Sequence, residues 1–158
     1  MIAWIAASSA AAPLPEAVLR EHGEHVDLFT LEGHGHGFGG LGIVVHDGPT
    51  VVLEALTPAG PALFTVRVEN GSTTIDALDE GLADFLRRLP FDRDLAALYL
   101  VDGTRAETVL GWTVRPRSDG WTLHGPKGRA RVRRLPDGLE LRDRLRGYTL
   151  TVRPQEAG

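Results

Sequence analysis

No cysteine occurs anywhere in the chain, and that absence removes zinc–thiolate sites, iron–sulfur clusters, thiol nucleophiles and disulfides together. It also suits a reducing compartment, so a cytoplasmic location is expected. Serine is scarce: Ser8, Ser9, Ser72 and Ser118 are the only ones. None lies in a Gly-x-Ser-x-Gly elbow, and those beside helices or turns are explained as caps and turn formers, so serine nucleophilic catalysis has no support. Lysine is nearly absent, Lys127 standing alone, and no Gly-Lys-Ser or Gly-Lys-Thr appears, which excludes a P-loop. Long apolar runs are missing too. Nothing approaches the roughly 18 apolar residues of a membrane span, so no membrane partner is expected. The opening stretch 1–10 is apolar but lacks a basic n-region, and it reads as a buried strand rather than a signal peptide.

What the chain does carry is the ordinary composition of a folded domain. At 158 residues, 42% apolar and 24% charged, it is long enough to bury roughly two-thirds of its unfolded surface without a disulfide or metal staple. A single globular α+β domain over residues 1–158 is expected, without a cofactor. Charge is unevenly spread. From Gly111 onward there are eleven Lys/Arg against five Asp/Glu, about +6, which leaves about −10 on the remainder of a chain whose net charge is −4. Either acidic elements of the first part pack beside a basic sheet and neutralise it, or the basic face takes an anionic partner.

The clearest pattern lies between Trp112 and Arg153, where side chains alternate with the two-residue period of strands. Trp112, Val114, Trp121, Leu123, Ala130, Val132, Leu139, Leu141, Tyr148, Leu150 and Val152 share the apolar phase. Arginines dominate the other phase. Ser118-Asp119-Gly120, Gly125-Pro126-Lys127-Gly128, Pro136-Asp137-Gly138 and Arg146-Gly147 supply turn chemistry between the runs. Connections this short force antiparallel neighbours, so a C-terminal β-meander is expected.

Ahead of the meander, Pro13-Leu14-Pro15-Glu16 suits a helix start and Gly23 its end, with a strand from His25 to Leu31 after it. Strand, helix and strand in this order predict an N-terminal βαβ unit with a parallel pair. A glycine-dense loop, Gly33 to Gly40, precedes the apolar strand Leu41 to Val45, which is paired as a hairpin with Thr50 to Leu56, and Leu63 to Glu69 follows as a further strand. The apolar spacing of Ile75, Leu78, Leu82, Phe85, Leu86 and Leu89 predicts one main packing helix over about 74–89, capped by Ser72, Thr73 or Thr74 and stopped by Pro90. Asp94 to Val101 reads equally as a helical turn or a buried strand. The fold class is therefore α+β, with a mainly antiparallel sheet.

Two groups of residues carry chemistry. His22, His25, His34, His36 and His46 cluster early, and on a strand the spacing of His34 and His36 would place both rings on one face. With His46, and with Asp47 or Glu32, they form a candidate metal site for a metal-dependent enzyme. The second group is the arginine phase of the meander: Arg115, Arg129, Arg131, Arg133, Arg142 and Arg144 form a candidate anion-binding face, because planar guanidinium groups match phosphate and carboxylate. Trp112, Trp121 and Tyr148 fall on the opposite phase, which works against base stacking. Asp76, Asp79, Glu80, Asp92 and Asp94 read as helix-start or surface charges.

Leu28-Phe29, a glycine-containing loop, Gly42-Ile43-Val44-Val45-His46-Asp47-Gly48 and Val52-Leu53-Glu54-Ala55 together resemble the strand pair around the catalytic histidine in papain-like NlpC/P60 hydrolases, over about a sixth of the chain. In that family the histidine would stand near Gly40 and the nucleophile is a cysteine. Neither is present, so the resemblance extends to an apolar hairpin and implies no activity. No catalytic residue is assigned. The expectation is a binding module that engages a protein partner or itself through its polarised surface, with nucleic acid or another anion on the arginine face as the alternative.

Overall fold

The computed structural model describes residues 23–48, 50–57 and 62–155. Turn chemistry sets its architecture. Asn70 and Gly71 lie at φ 50° and 79°, and His34 and Gly35 at φ 52° and 75°, the paired left-handed residues of a two-residue hairpin turn. The first pair turns β4 (Ala62–Glu69) back into β5 (Ser72–Ala77), and the second turns β1 (Gly23–Gly33) into β2 (His36–Asp47). With β3 (Thr50–Leu56) between β2 and β4, these strands form a five-stranded antiparallel meander.

A second meander runs through β6 (Glu107–Val109), β7 (Trp112–Arg117), β8 (Gly120–Gly125), β9 (Gly128–Leu135), β10 (Gly138–Asp143) and β11 (Tyr148–Pro154). The two join where β1 pairs antiparallel with β11, from Asp27 opposite Pro154 to Gly33 opposite Tyr148. Among the described residues one sheet of eleven strands results, in the order β5-β4-β3-β2-β1-β11-β10-β9-β8-β7-β6. The expected C-terminal meander is present, and its entire apolar phase is buried: Val114, Trp121, Leu123, Ala130, Val132 and Leu141 are each 0% exposed.

Three expectations need correction. Both sides of β1 are occupied by antiparallel neighbours, β2 and β11, so the strand expected to complete a βαβ unit has no free edge for a parallel partner; the expected opening strand and helix lie outside the described residues. The glycine-dense segment is not a loop, since Gly37, Gly39, Gly40 and Gly42 all pair with β1. The helix expected over 74–89 begins late. Thr73, Thr74 and Ile75 belong to β5, paired with β4, and α1 spans Glu80–Arg87, capped by the Asp79 carboxylate accepting from the Leu82 N–H at 2.8 Å. A tight Asn-Gly turn and a β-branched run override the helical spacing of Ile75 and Leu78, and Leu78 is left 69% exposed.

Glycines in β2 let the sheet curl. A side chain at Gly40 would meet the Leu56 carbonyl oxygen at 2.7 Å, and one at Gly42 would meet Leu53 at 2.9 Å, with the Phe29 ring close above both. Phe29 therefore lies across β2 and reaches Phe64 on β4, edge to face, with ring centroids 6.0 Å apart. Three strand spacings in a flat sheet would amount to roughly 14 Å, so the two rings meet only because the sheet bends strongly.

The bend encloses a helix. α1 packs Leu82, Phe85 and Leu86 inward, Phe85 against Phe38 of β2 at 5.5 Å. After Pro90 the chain forms α2 (Phe91–Leu95), which continues as a π-helical segment, Ala96–Leu100. Every residue from Phe91 to Tyr99 is buried. A helix with no solvated face must be surrounded. Its surroundings come from distant strands: the Tyr99 hydroxyl donates to Asp27 of β1, the Trp121 indole of β8 donates to the Ala97 carbonyl at 3.1 Å, and Arg93 reaches Tyr148 of β11 at 2.9 Å. The segment that reads as either helix or strand is thus the axis around which the sheet is wrapped. No helix among the described residues is long and apolar enough to cross a membrane.

Candidate anion-binding groove

The outward phase of β9 exposes Arg129, Arg131 and Arg133 between buried Ala130 and Val132. Register then places β10 beside it, with Arg142 directly opposite Arg131 and Glu140 opposite Arg133. The chain leaves β10 through the turn that carries Arg144 and Leu145. Together these residues and Asp119, from the β7–β8 turn, line a groove of about 640 Å³ on the outer face of the sheet. Five of the six arginines expected to form an anion-binding face meet in it. Arg115, exposed on β7 opposite Thr122, stands outside the lining.

Like charges directly opposite on neighbouring strands are destabilising, and the groove relieves only part of that strain. Arg131 holds Asp119 through contacts of 2.7 and 2.9 Å, and those hydrogen bonds keep the Asp119 carboxyl below its ordinary range. Glu140 lies 3.3 Å from Arg133 and 3.5 Å from Arg142. Arg129 and Arg144 have no ion pair among the described residues. Five arginines against two carboxylates leave three positive charges in the lining.

That field is felt next door. His124, opposite Arg129 on β8, is held below its usual pKa by burial and then by Arg115, Arg129 and Arg117. Beneath the same layer, Thr122 is 1% exposed although it faces outward, and neither its hydroxyl nor His124 Nε2 has a hydrogen-bond partner among the described residues. Arg134 takes no part in the groove. It turns inward, lies 4.9 Å over the Trp121 ring and donates to the Asp102 carbonyl at 3.1 Å.

The carboxylates that neutralise the face come from the meander itself. Among the described residues, nothing in the groove lining comes from the acidic first part of the chain, and the carboxylates beside these arginines are Asp119 and Glu140. Leu145, which sequence patterning did not single out, is 83% exposed at one end of the groove. Its signal was present as a leucine between two arginines in a turn.

The histidines are not assembled in the same way. His34 is at the exposed tip of the β1–β2 turn, His36 opens β2 opposite Gly33, and His46 is buried ten residues further along that strand. At about 3.4 Å per residue, that places His36 and His46 roughly 34 Å apart along the chain. No group of three or more His, Asp or Glu suited to holding a metal occurs among the described residues.

The structure also buries a polar cluster that includes Asp92 and Asp94, which read from the sequence as helix-start or surface charges. Arg93 and Asp94 are both 0% exposed and Asp92 is 6% exposed. Arg93 sits 2.8 Å from Asp94 and 2.9 Å from Asp143, and the Tyr148 hydroxyl donates to Asp94. Arg146 adds a backbone and a side-chain hydrogen bond to Asp143, at 2.9 and 3.0 Å. Burial pushes Asp94 up to about 6 in spite of Arg93. Burial acts on Asp143 in the same sense, but the hydrogen bonds from Arg146 and Arg93 outweigh it and hold that carboxyl low. The cluster ties α2 to the β10–β11 corner, with no opening to solvent at Arg93.

The chain matches no protein-family model and no curated protein.

Proposed function

We propose that the protein is a small non-enzymatic binding module that docks an acidic segment of a protein partner in the arginine groove. The observation that carries this reading is a groove of five arginines and two carboxylates, in which Arg129 and Arg144 have no ion pair among the described residues. A surface that keeps unneutralised like charges side by side costs folding stability, and a binding role accounts for that cost. Carboxylates suit the guanidinium fork as well as phosphates do. A protein partner is preferred to single-stranded nucleic acid because Trp112, Trp121 and Tyr148 are at most 3% exposed, so none can serve as a stacking platform. A cytoplasmic setting belongs to the same proposal.

The test is sedimentation velocity and partner capture with purified protein at low and at high salt. Association with an acidic partner, or with a second copy through its acidic surface, should appear at low salt and fade as screening shortens the reach of the charges. The double variant Arg129→Glu/Arg144→Glu should abolish it. A protein that remains monomeric and partnerless at low salt, or a double variant that associates as before, overturns the reading.

A further inference from the structure

The arrangement of the groove specifies more than a sign of charge. Arg129, Arg131 and Arg133 stand on alternate residues of one strand, so they recur about every 6.8 Å along it. An extended peptide has the same repeat. Acidic residues at alternate positions of such a peptide would each fall beside one arginine, whereas consecutive acids would point alternately toward and away from the groove.

The two ends of the groove differ. At the Arg133 end, Glu140 lies between Arg133 and Arg142 and Asp119 occupies Arg131, so that end is largely neutralised by the chain itself. At the other end lie Arg129, Arg144 and Leu145. Neither arginine has an ion pair among the described residues, and Leu145 is 83% exposed. This leucine approaches the β8–β9 turn, where a side chain at Gly128 would meet it at 3.8 Å. An exposed apolar side chain beside two unpaired cations is a mixed anchor: it can bury an apolar group while the cations take the neighbouring acid. The recess runs along strands rather than forming a flat plate, which favours a linear ligand over a membrane surface.

We propose that the groove recognises an extended peptide segment with acidic residues at alternate positions, followed at the Leu145 end by a bulky apolar residue. This rests on the reading of the groove as an acidic-protein site, and the experiment separates the two. Fluorescence anisotropy would compare labelled peptides at low salt: one with three glutamates at alternate positions and a leucine at one end, made with the leucine at either terminus; one of the same composition with the glutamates contiguous; and one with serine for leucine. A single-stranded oligonucleotide and vesicles of anionic phospholipid complete the set. The alternating peptide should bind several-fold tighter than the contiguous one, the combined effect of one open pair at Arg129 and of pairs at Arg131 and Arg133 made in competition with Asp119 and Glu140. Serine for leucine should cost several-fold, and in the Leu145→Ser variant that difference should vanish. Because Leu145 is exposed in a turn, this variant keeps the fold. Equal binding of alternating and contiguous peptides, or an unchanged leucine preference in Leu145→Ser, overturns the proposed peptide pattern while leaving an acid-binding groove. Tighter binding of the oligonucleotide or the vesicles overturns the peptide as ligand class. Failure of every probe to bind removes both this inference and the function it rests on.

Discussion

Arg93 and Arg144 lie within one corner of the molecule, on either side of the sheet, and they have opposite fates. Arg93 is wholly buried among Asp94, Asp143 and Tyr148, and Arg144 is exposed without an ion pair among the described residues. Inside, water is excluded, so a charge is tolerated only if the protein supplies its partners. Outside, water screens the charge, and the arginines can remain partly unmatched. The inner cluster is a latch between the central helix and the sheet. The outer one is available to something else.

Breaking the latch should have the largest effect. Arg93→Leu leaves Asp94 without its cation inside the core and should lower unfolding stability by about 3–5 kcal/mol, as measured by urea denaturation. Adding Asp94→Asn to that variant should recover part of the loss, because the uncompensated charge is then gone; a double variant as unstable as the single one would mean that the latch works by packing alone. Next in size is the wall that curves around the helix. Gly40→Ala forces a methyl group against the Leu56 carbonyl and should cost about 1–3 kcal/mol through overpacking, read from the same denaturation curves.

The third prediction concerns pH. Asp94 titrates in the folded protein at about 6 against an ordinary 3.8, so the folded state holds this proton more tightly than the unfolded chain does. Stability contributed by the neutral carboxyl is present below the unfolded value and is lost as pH rises through about 4 to 6, by at most about 1.4 kcal/mol per pH unit. Relative to Asp94→Asn, the native protein should therefore lose melting temperature over that window. A constant difference between the two would show that Asp94 stays ionised throughout. The smallest effect on stability belongs to the groove. Arg129→Glu/Arg144→Glu should change unfolding free energy by no more than about 0.5 kcal/mol even though it removes partner binding. A large loss of stability would erase the contrast between latch and groove.

Much of this contrast could be read along the chain. The alternation between Trp112 and Arg153 predicted both faces of the second meander, and five of the six predicted arginines share one groove. The arginine face was readable because strand periodicity and short turns are local, so adjacent hairpin strands carry their register with them. The histidine set is different. His34 and His36 are neighbours in sequence, but the left-handed His34-Gly35 pair turns the chain there and a long strand carries His46 away from both. The helical spacing over 74–89 misleads for a related reason: the three-residue step from Ile75 to Leu78 competes with a turn that delivers Ile75 to the sheet edge, and pairing with β4 wins.

The sequence by itself determined where strands turn, which residues of the meander face inward, and that its outward phase would be basic. It did so because each of those properties depends on a few consecutive residues. Only the tertiary structure decided that β1 would close against β11, that glycines would leave room on a curled β2 for Phe29 to cross it, and that Phe91 to Tyr99 would run through the centre. Those outcomes depend on residues dozens of positions apart competing for the same buried space. Asp92, Arg93 and Asp94 show the consequence most plainly. In sequence they look like charges meant for water, and they are stable in the core only because Asp143, Arg146, Tyr148 and Lys127 arrive from the far end of the chain to meet them.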